Sequence, residues 1–213
     1  MKNYAAAIFL FLLTGCSLIG KSNTPMAPYK ALSHDNENNI EVRLYENMIL
    51  VSTPIDTSAK DGRNKAFMRL FNYISGANIS NEKIAMTTPV LINTGKDKGT
   101  KILMTAPVFM DTKNDQESLM SFVLPQDFKW DTTPKPKNPQ LQLHRLNNYT
   151  VAAIKFSGLM TENNIVKYKE ILDKWIISNG YNKIGGYKIA SYNPPFTIPF
   201  FRRNEVLIPI KIK

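Results

Sequence analysis

The chain has little of the residues from which disulfides and metal centres are built. Its 213 residues include one cysteine, Cys16, and two histidines, His34 and His144. A single cysteine excludes an intramolecular disulfide and a cysteine-based zinc cluster. Two histidines are too few for a His-rich metal centre, and a Ser–His–Asp triad would have to use one of them.

The apolar run at the start of the chain is too short to cross a membrane. It extends from Tyr4 to Leu13, ten residues, whereas a spanning helix needs about 20. Leu13-Thr14-Gly15-Cys16 follows directly and resembles the lipobox of bacterial lipoproteins. The sequence therefore predicts a signal peptide over 1–15 and lipidation of Cys16. The alternative is an ordinary secretory signal with an incidental cysteine.

The lipoprotein pattern also predicts a location. Ser17 rather than Asp follows the cysteine, and by resemblance to the sorting pattern this favours the outer membrane. We therefore expect a protein of the bacterial cell envelope that faces the periplasm and is held to the membrane through Cys16.

The charge of the chain is strongly positive. Lys and Arg number 27 against 17 acidic residues, a net charge of +10. Such a surplus suits nucleic acid, anionic lipid head groups or a small carboxylated ligand, and the export signal argues against nucleic acid. With 43% hydrophobic residues, the chain can bury a core of one or two domains. Its oligomeric state does not follow from the sequence.

Residues 16–39 are rich in Ser, Asn, Lys and Pro and are predicted to form a flexible tether, so the folded domain is expected at 40–213. Alternating residues predict a strand pair at 40–45 and 48–53, a helix at 58–75 that Gly76 ends, and strands at 83–92, 101–110 and 118–124. A Pro-rich connector follows at 132–139.

The same order of elements returns after the connector. A strand pair at 141–146 and 151–156 is followed by a helix at 161–179, capped by Thr161 and ended by Gly180, and by strands at 187–192 and 205–212. The two repeats, about 40–125 and 140–213, predict an α+β fold of duplicated β-β-α-β-β units. We expect one antiparallel sheet or distorted barrel flanked by two helices, with two separate small domains as the alternative. The side chains expected to be buried are Phe67, Phe71, Leu172 and Trp175.

Two local motifs stand out. Met-Thr-x-Pro-Val occurs twice, beginning at Met86 and at Met104. A proline within a strand indicates an edge or a bulge, and methionine offers adaptable apolar surface, so these segments are either structural strands or a ligand wall. The second motif is the Pro- and Phe-rich segment 192–206, which contains Arg202 and Arg203.

Together with Met120–Pro125 and Phe156-Ser157-Gly158, these motifs resemble the SOUL, or heme-binding protein, family over about residues 40–212. The resemblance implies a distorted β-barrel with two helices and tetrapyrrole binding, which is reported for some members. It also implies basic residues along the first helix as heme contacts, and Asn64 and Asn72 stand where some relatives carry cations.

The first predicted helix has the residues that a tetrapyrrole needs. On a helical wheel Lys60 and Arg63 fall on the same side as Phe67 and Phe71, which combines an apolar face with cations for two propionates. The alternative is that the two cations only snorkel at the end of a core stripe.

An axial ligand to iron is harder to find. His34 lies in the predicted tether, and His144 shares a strand face with Gln142, opposite Leu141 and Leu143, so a solvated His144 is expected. Met86 or Met104 could coordinate iron in principle, although core methionine is far commoner. Arg202 and Arg203 could meet propionates or could instead fix the preceding aromatic loop through Glu205.

Three functions are compatible with this sequence. The first is a lipid-anchored module that binds heme or a related tetrapyrrole. The second is an enzyme that modifies a tetrapyrrole, but we find no carboxylate pair, metal-ligand spacing or nucleophile–base pattern. The third is a structural or partner-binding envelope protein that kept the fold without the ligand.

The lipobox leads to a test. We expect Cys16 to be lipidated and to be the first mature residue, because it follows an apolar run too short to span. Cys16→Ser should block lipidation and normal processing, as shown by membrane fractionation and intact mass. A soluble, unmodified wild-type protein would refute this prediction.

Overall fold

A computed structural model describes residues 25–80, 82–93 and 118–212 of the chain. Its elements in chain order are β1 (Lys30–Asp35), β2 (Ile40–Pro54), α1 (Gly62–Ile74), β3 (Thr87–Asn93), β4 (Leu119–Val123), β5 (Gln142–Phe156), α2 (Glu162–Ser178), β6 (Asn182–Lys183), β7 (Lys188–Ser191) and β8 (Asn204–Lys211). Short 3₁₀ turns lie at Trp130–Thr132 and Pro199–Phe201.

Six antiparallel strands close into a barrel. Their order is β2-β4-β3-β7-β8-β5, and β5 pairs again with β2. β1 extends the sheet beside β2, and β6 pairs with β8. The expected α+β fold, a distorted antiparallel barrel flanked by two helices, is confirmed.

The two predicted strand pairs are each one long strand, which corrects the sequence-based expectation. β2 and β5 pair with each other from Ile40↔Ile154 to Ser52↔Gln142, and the predicted turns lie side by side as Asn47↔Asn147. Before Asn47 the odd-numbered side chains of β2 point into the barrel, and after it the even-numbered ones do. Tyr45 and Met48 therefore both belong to the interior cluster. This change of face interrupts the alternation without a turn. The repeated unit is therefore β-α-β-β.

Three apolar clusters fill the fold. The barrel interior holds Tyr45, Met48, Leu50, Leu91, Val123, Val151, Ala153, Ala190, Tyr192 and Leu207. α1 covers one part of the outer face with a cluster that includes Leu70, Tyr73, Val51, Met120 and Phe122. α2 covers another part with a cluster that includes Leu172, Ile176, Val42, Ile154 and Ile208. Both faces of the barrel strands are therefore covered over much of their length.

The capping residues predicted for the two helices are confirmed, whereas the predicted buried side chains are confirmed only in part. Thr161 Oγ1 accepts a hydrogen bond from Asn164 N and caps α2, and Gly76 and Gly180 follow the helices with φ of 111° and 75°. Leu172 is buried as expected. Trp175 is half-buried, with its Nε1 donating to Asp35 Oδ2 at 2.7 Å.

The buried face of α1 differs from the prediction. Ala66, Leu70 and Tyr73 are buried, Phe67 is half-buried, and Phe71 is 41% exposed, so the expectation that Phe71 lies in the core is wrong. Tyr73 takes the core position because its hydroxyl donates to Pro134 O at 2.6 Å, a partner that the sequence pattern could not reveal.

The sheet begins earlier than expected. β1 lies within 16–39, the segment predicted to be a flexible tether, and pairs with β2. Ala27 is buried, and its N donates to Thr88 O at 2.7 Å. This segment has no apolar period because most of the side chains of β1 are exposed. Backbone pairing with β2 holds it in the sheet, together with polar contacts such as the one from Trp175 Nε1 to Asp35 Oδ2.

The two Met-Thr-x-Pro-Val segments have different outcomes. Pro89 of the first lies where the β3–β4 register shifts between Thr87 and Val90, which confirms the expected irregularity. The second, together with the strand expected at 101–110, lies outside the described residues.

The packing leads to a stability prediction. Leu172→Ala should lower the free energy of unfolding by about 2–5 kcal/mol because the side chain is fully buried. Phe71→Ala should cost clearly less, because that ring is already partly in water. Chemical denaturation followed by circular dichroism measures both. Two independent unfolding transitions would contradict a shared barrel.

Candidate functional site

The loop before α1 sets the direction in which the helix starts. Asp56 Oδ1 accepts hydrogen bonds from Ser58 N at 3.0 Å, Ser58 Oγ at 2.6 Å and Ala59 N at 3.3 Å, and these bonds lower the pKa of Asp56. Gly62 lies so close to this turn that a Cβ would be 1.8 Å from Asp56 O. Only glycine fits there, and the tight turn delivers the chain into the helix.

One flank of α1 carries the candidate site. Arg63, Phe67 and Phe71 follow each other at intervals of four residues and so lie along one flank. The rings of Phe67 and Phe71 are stacked, with centroids 6.1 Å apart and planes at 13°. Phe67 also meets Phe122 of β4 edge-on at 5.3 Å. We call the surface formed by Arg63, Phe67 and Phe71 the α1 flank.

The cations at the N-terminal end of the flank are available for a ligand. Lys60 precedes α1 rather than lying on it, and both Lys60 and Arg63 are exposed. Within the part of the chain that the structure describes, neither side chain makes a hydrogen bond or an ion pair. By contrast, Lys65 pairs with Asp61 at 3.1 Å, and Arg69 Nε donates to Thr53 Oγ1 at 2.8 Å.

Of the two candidate methionines, Met86 lies within the described residues. Met86 is half-buried and packs, like Phe67, against the cluster beneath α1. Met104 lies outside the described residues. The structure therefore places Lys60, Arg63, Phe67, Phe71 and Met86 at one side of the barrel.

Arg202 and Arg203 lie elsewhere and are taken up by protein groups. Arg202 Nε donates to Thr197 O at 2.7 Å. Arg203 donates to Glu205 Oε1 from Nε at 2.9 Å and from Nη2 at 2.7 Å, and its guanidinium lies 4.2 Å from the centre of the Tyr192 ring. These contacts agree with the alternative in which the two arginines fix the aromatic loop.

A buried ion pair that the sequence did not reveal lies at the same end of the barrel. Arg43 Nη1 and Nη2 donate to Glu205 Oε2 and Oε1 at 2.6 and 3.0 Å, and both side chains are at most 2% exposed. Tyr192 OH donates to Glu205 Oε2 at 2.6 Å, and Arg43 Nε donates to Glu41 Oε2 at 2.7 Å. The sequence offered part of this cluster, in the alternative that Arg203 fixes the loop through Glu205, but it gave no sign that Arg43 of β2 is the partner of that carboxylate.

The ion pair determines the ionisation of its members. Burial opposes the charge of Glu205, but the hydrogen bonds and charge of Arg43, with those of Arg203 and Tyr192, outweigh it and hold the pKa of Glu205 below its usual value. Burial raises the pKa of Tyr192, and the negative charge of Glu205 raises it further. Glu205 is therefore the ionised acceptor at the centre of this cluster.

The expectation of a solvated His144 is wrong. His144 pairs with Leu50, whose side chain belongs to the barrel interior, so His144 faces the same way. It is half-buried, and burial together with the charge of Lys188 lowers its pKa. The face opposite Leu143 is the inside of the barrel rather than solvent. His34 lies on β1 and contacts Glu41 at 3.6 Å.

Within residues 25–80, 82–93 and 118–212, no group of three or more His, Cys, Asp or Glu side chains could hold a metal ion. In the same residues, no helix has the length and apolar character needed to cross a membrane.

The buried cluster around Glu205 leads to a prediction of how the stability of the fold depends on pH. Because the pKa of Glu205 is lowered in the folded state, its stabilising contribution is present above the unfolded value of about 4.5 and is lost as the pH falls through the folded value. Glu205→Gln should lower the free energy of unfolding by about 3–5 kcal/mol at neutral pH, because buried Arg43 loses its bidentate counter-charge and keeps only the part-buried Glu41. It should also flatten the pH dependence below about 4.5.

Urea denaturation at a series of pH values measures this change. Glu170→Gln, at an exposed position on α2, is the matched control and should retain the wild-type profile. An unchanged profile in Glu205→Gln would contradict the assignment of the low pKa to this carboxylate.

Comparisons with known proteins show the family to which the chain is related. A family model described as SOUL heme-binding protein matches residues 24–209. A curated relative, Heme-binding protein 1 of Xenopus laevis, is 25% identical over 171 residues, which cover 78% of this chain and 80% of that protein.

Solved structures share the fold at much lower identity. The C-terminal domain of EcmrR has a TM-score of 0.56 and 12% identity, covering 87% of this chain and 99% of that chain. An uncharacterized conserved protein from Listeria innocua has a TM-score of 0.55 and 12% identity, covering 82% and 93% of the two chains. At these identities the likeness shows the fold alone.

Proposed function

Because the chain belongs to the SOUL heme-binding protein family, we propose that it binds heme or a related tetrapyrrole on the α1 flank. The observation that carries the proposal is the stacked pair of half-buried Phe67 and exposed Phe71, which lies beside the unpaired side chains of Lys60 and Arg63. The heme-binding protein of Xenopus laevis supports the class of ligand.

The residues of the flank fit the shape of a tetrapyrrole. From Arg63 to Phe71 the helix rises about 12 Å, a length comparable with the macrocycle. The two rings offer a flat apolar face, and Arg63 and Lys60 lie at the end where propionates would need cations. The first turn of α1 contains no acidic residue, and the negative charge of Asp61 at the N-cap is paired with Lys65 at 3.1 Å.

Binding is proposed to depend on apolar contact and propionate charge rather than on an axial histidine. His144 faces the barrel interior and His34 lies on β1, so neither histidine belongs to the α1 flank. Bound heme would supply the iron chemistry, and the residues of the flank would orient the macrocycle. We propose a binding role rather than an enzymatic one, since the flank offers no acid–base pair.

The proposed location follows from the sequence. The lipobox at Leu13–Cys16 supports a lipidated protein of the bacterial envelope, anchored through Cys16 and facing the periplasm. Several lipid chains would hold it firmly, since each buried CH₂ contributes about 0.8 kcal/mol.

Titration with hemin tests the binding site. Arg63→Ala should weaken binding by roughly 10- to 150-fold, the effect of losing a charge-assisted contact of about 1.5–3 kcal/mol. Phe71→Ser should also weaken binding, because it removes one ring of the stacked pair. Absorption and intrinsic fluorescence measure the affinity.

Lys174→Ala removes an exposed cation from α2 and is the matched control, with unchanged affinity. If His144→Ala abolishes the bound-heme spectrum while Arg63→Ala and Lys60→Ala do not alter affinity, the iron-ligating arrangement replaces this one. If the wild-type chain gives no bound-heme spectrum, the family fold serves a structural or partner-binding role here.

A further inference from the structure

The loop between β7 and β8 exposes a group of large apolar side chains. Their exposed fractions are 62% for Phe196, 47% for Ile198, 77% for Phe200 and 44% for Phe201, and the adjacent Leu159 is 50% exposed. We call these five residues the apolar tip. Monomeric soluble proteins rarely expose so many large apolar residues together, and such patches mark interaction surfaces.

The backbone under the apolar tip is held in place. Arg202 Nε donates to Thr197 O at 2.7 Å, and Asn193 Oδ1 accepts from Arg203 N at 2.7 Å. Gly158 N donates to Pro199 O at 2.9 Å and joins the loop to the segment that contains Leu159. Because Arg202 and Asn193 fix the ends of the loop, its rings cannot turn inward to be buried by the protein itself.

The chain leads from the predicted anchor to the same end of the barrel. Thr88 N donates to Pro25 O at 2.9 Å, and Arg203 Nη1 donates to Met26 Sδ at 3.4 Å. Pro25 therefore lies beside the residue that ends the apolar loop. Cys16 and Pro25 are nine positions apart, so the chain between them can span about 30 Å at most. Lipidation of Cys16 would keep this end of the barrel near the bilayer.

The charge and composition of the loop suit a lipid surface. Residues 193–203 contain two arginines and no acidic residue. Phe and Leu side chains are typical of the apolar face of interfacial segments, which is buried at the boundary between head groups and acyl chains. Arg202 bonds to backbone carbonyls and so keeps its net charge beside these side chains, and a cation near the surface is attracted to anionic lipids by about 1 kcal/mol.

We propose that the apolar tip inserts into the interface of the membrane to which Cys16 is anchored, so that the barrel is held in a fixed orientation. This inference rests on the lipid anchor of the proposed function and extends it. The anchor alone would attach the barrel to the bilayer at a single point. The tip supplies a second contact, and α2 and β6 then extend away from the bilayer.

Depth-dependent quenching tests the orientation. The lipidated full chain is prepared with Phe200→Cys, labelled with an environment-sensitive fluorophore and reconstituted into vesicles of phosphatidylethanolamine and phosphatidylglycerol. Ile177→Cys is the matched control, because Ile177 is 69% exposed near the end of α2 that adjoins β6, at the opposite end of β8. We expect doxyl-labelled lipid to quench the label at 200 several-fold more than the label at 177.

Equal quenching at the two positions, or none at either, would overturn the proposal, and a tip that docks on a protein partner would give this result. Wild-type protein that takes up label would show an unmodified Cys16, a failure of the anchor rather than of the tip. Phe200→Ser should leave hemin affinity in detergent unchanged. A loss of affinity would assign the tip to the tetrapyrrole site and refute the membrane contact.

Discussion

The pairing of β2 with β5 is the constraint on which the rest of the structure depends. These two 15-residue strands pair in an unbroken register from Ile40↔Ile154 to Ser52↔Gln142, and their pairing closes the barrel. Because each strand changes its inward face near the middle, one half of β2 faces the α2 layer and the other half faces the α1 layer. The position of both helices, and so of the α1 flank, follows from this closure.

The buried cluster around Glu205 fixes one end of the barrel. Arg43 connects β2 to β8, while Tyr192 and Arg203 connect the aromatic loop to the same carboxylate. A carboxylate buried to this degree is stable only with such partners. The ion pair and the loop therefore depend on each other. Arg202 and Arg203, the candidate propionate ligands, bond to Thr197 O and to Glu205 and hold the apolar tip in place.

The two proposed surfaces have different functions: the α1 flank binds the ligand and the apolar tip contacts the membrane. The α1 flank combines exposed rings with free cations, and the apolar tip combines exposed rings with arginines that the protein already uses. This difference in available charge is the reason why we propose a dianionic ligand for the flank. The tip suits a lipid interface, where contact area matters more than a specific ion pair.

Signals within a few residues were sufficient where the physics is local. Thr161 and Gly180 bound α2 by hydrogen bonding and positive φ. The duplication, a pattern over the whole chain, predicted two helices on one sheet, and lipidation of Cys16 stays a prediction. Only tertiary structure decided which flank of α1 is buried, because Tyr73 bonds to Pro134 across the fold. It also decided that Asn47 and Asn147 continue two strands rather than turn them, since residues a hundred positions apart supply each other's backbone partners. Such pairing depends on barrel closure, and local patterns do not contain it.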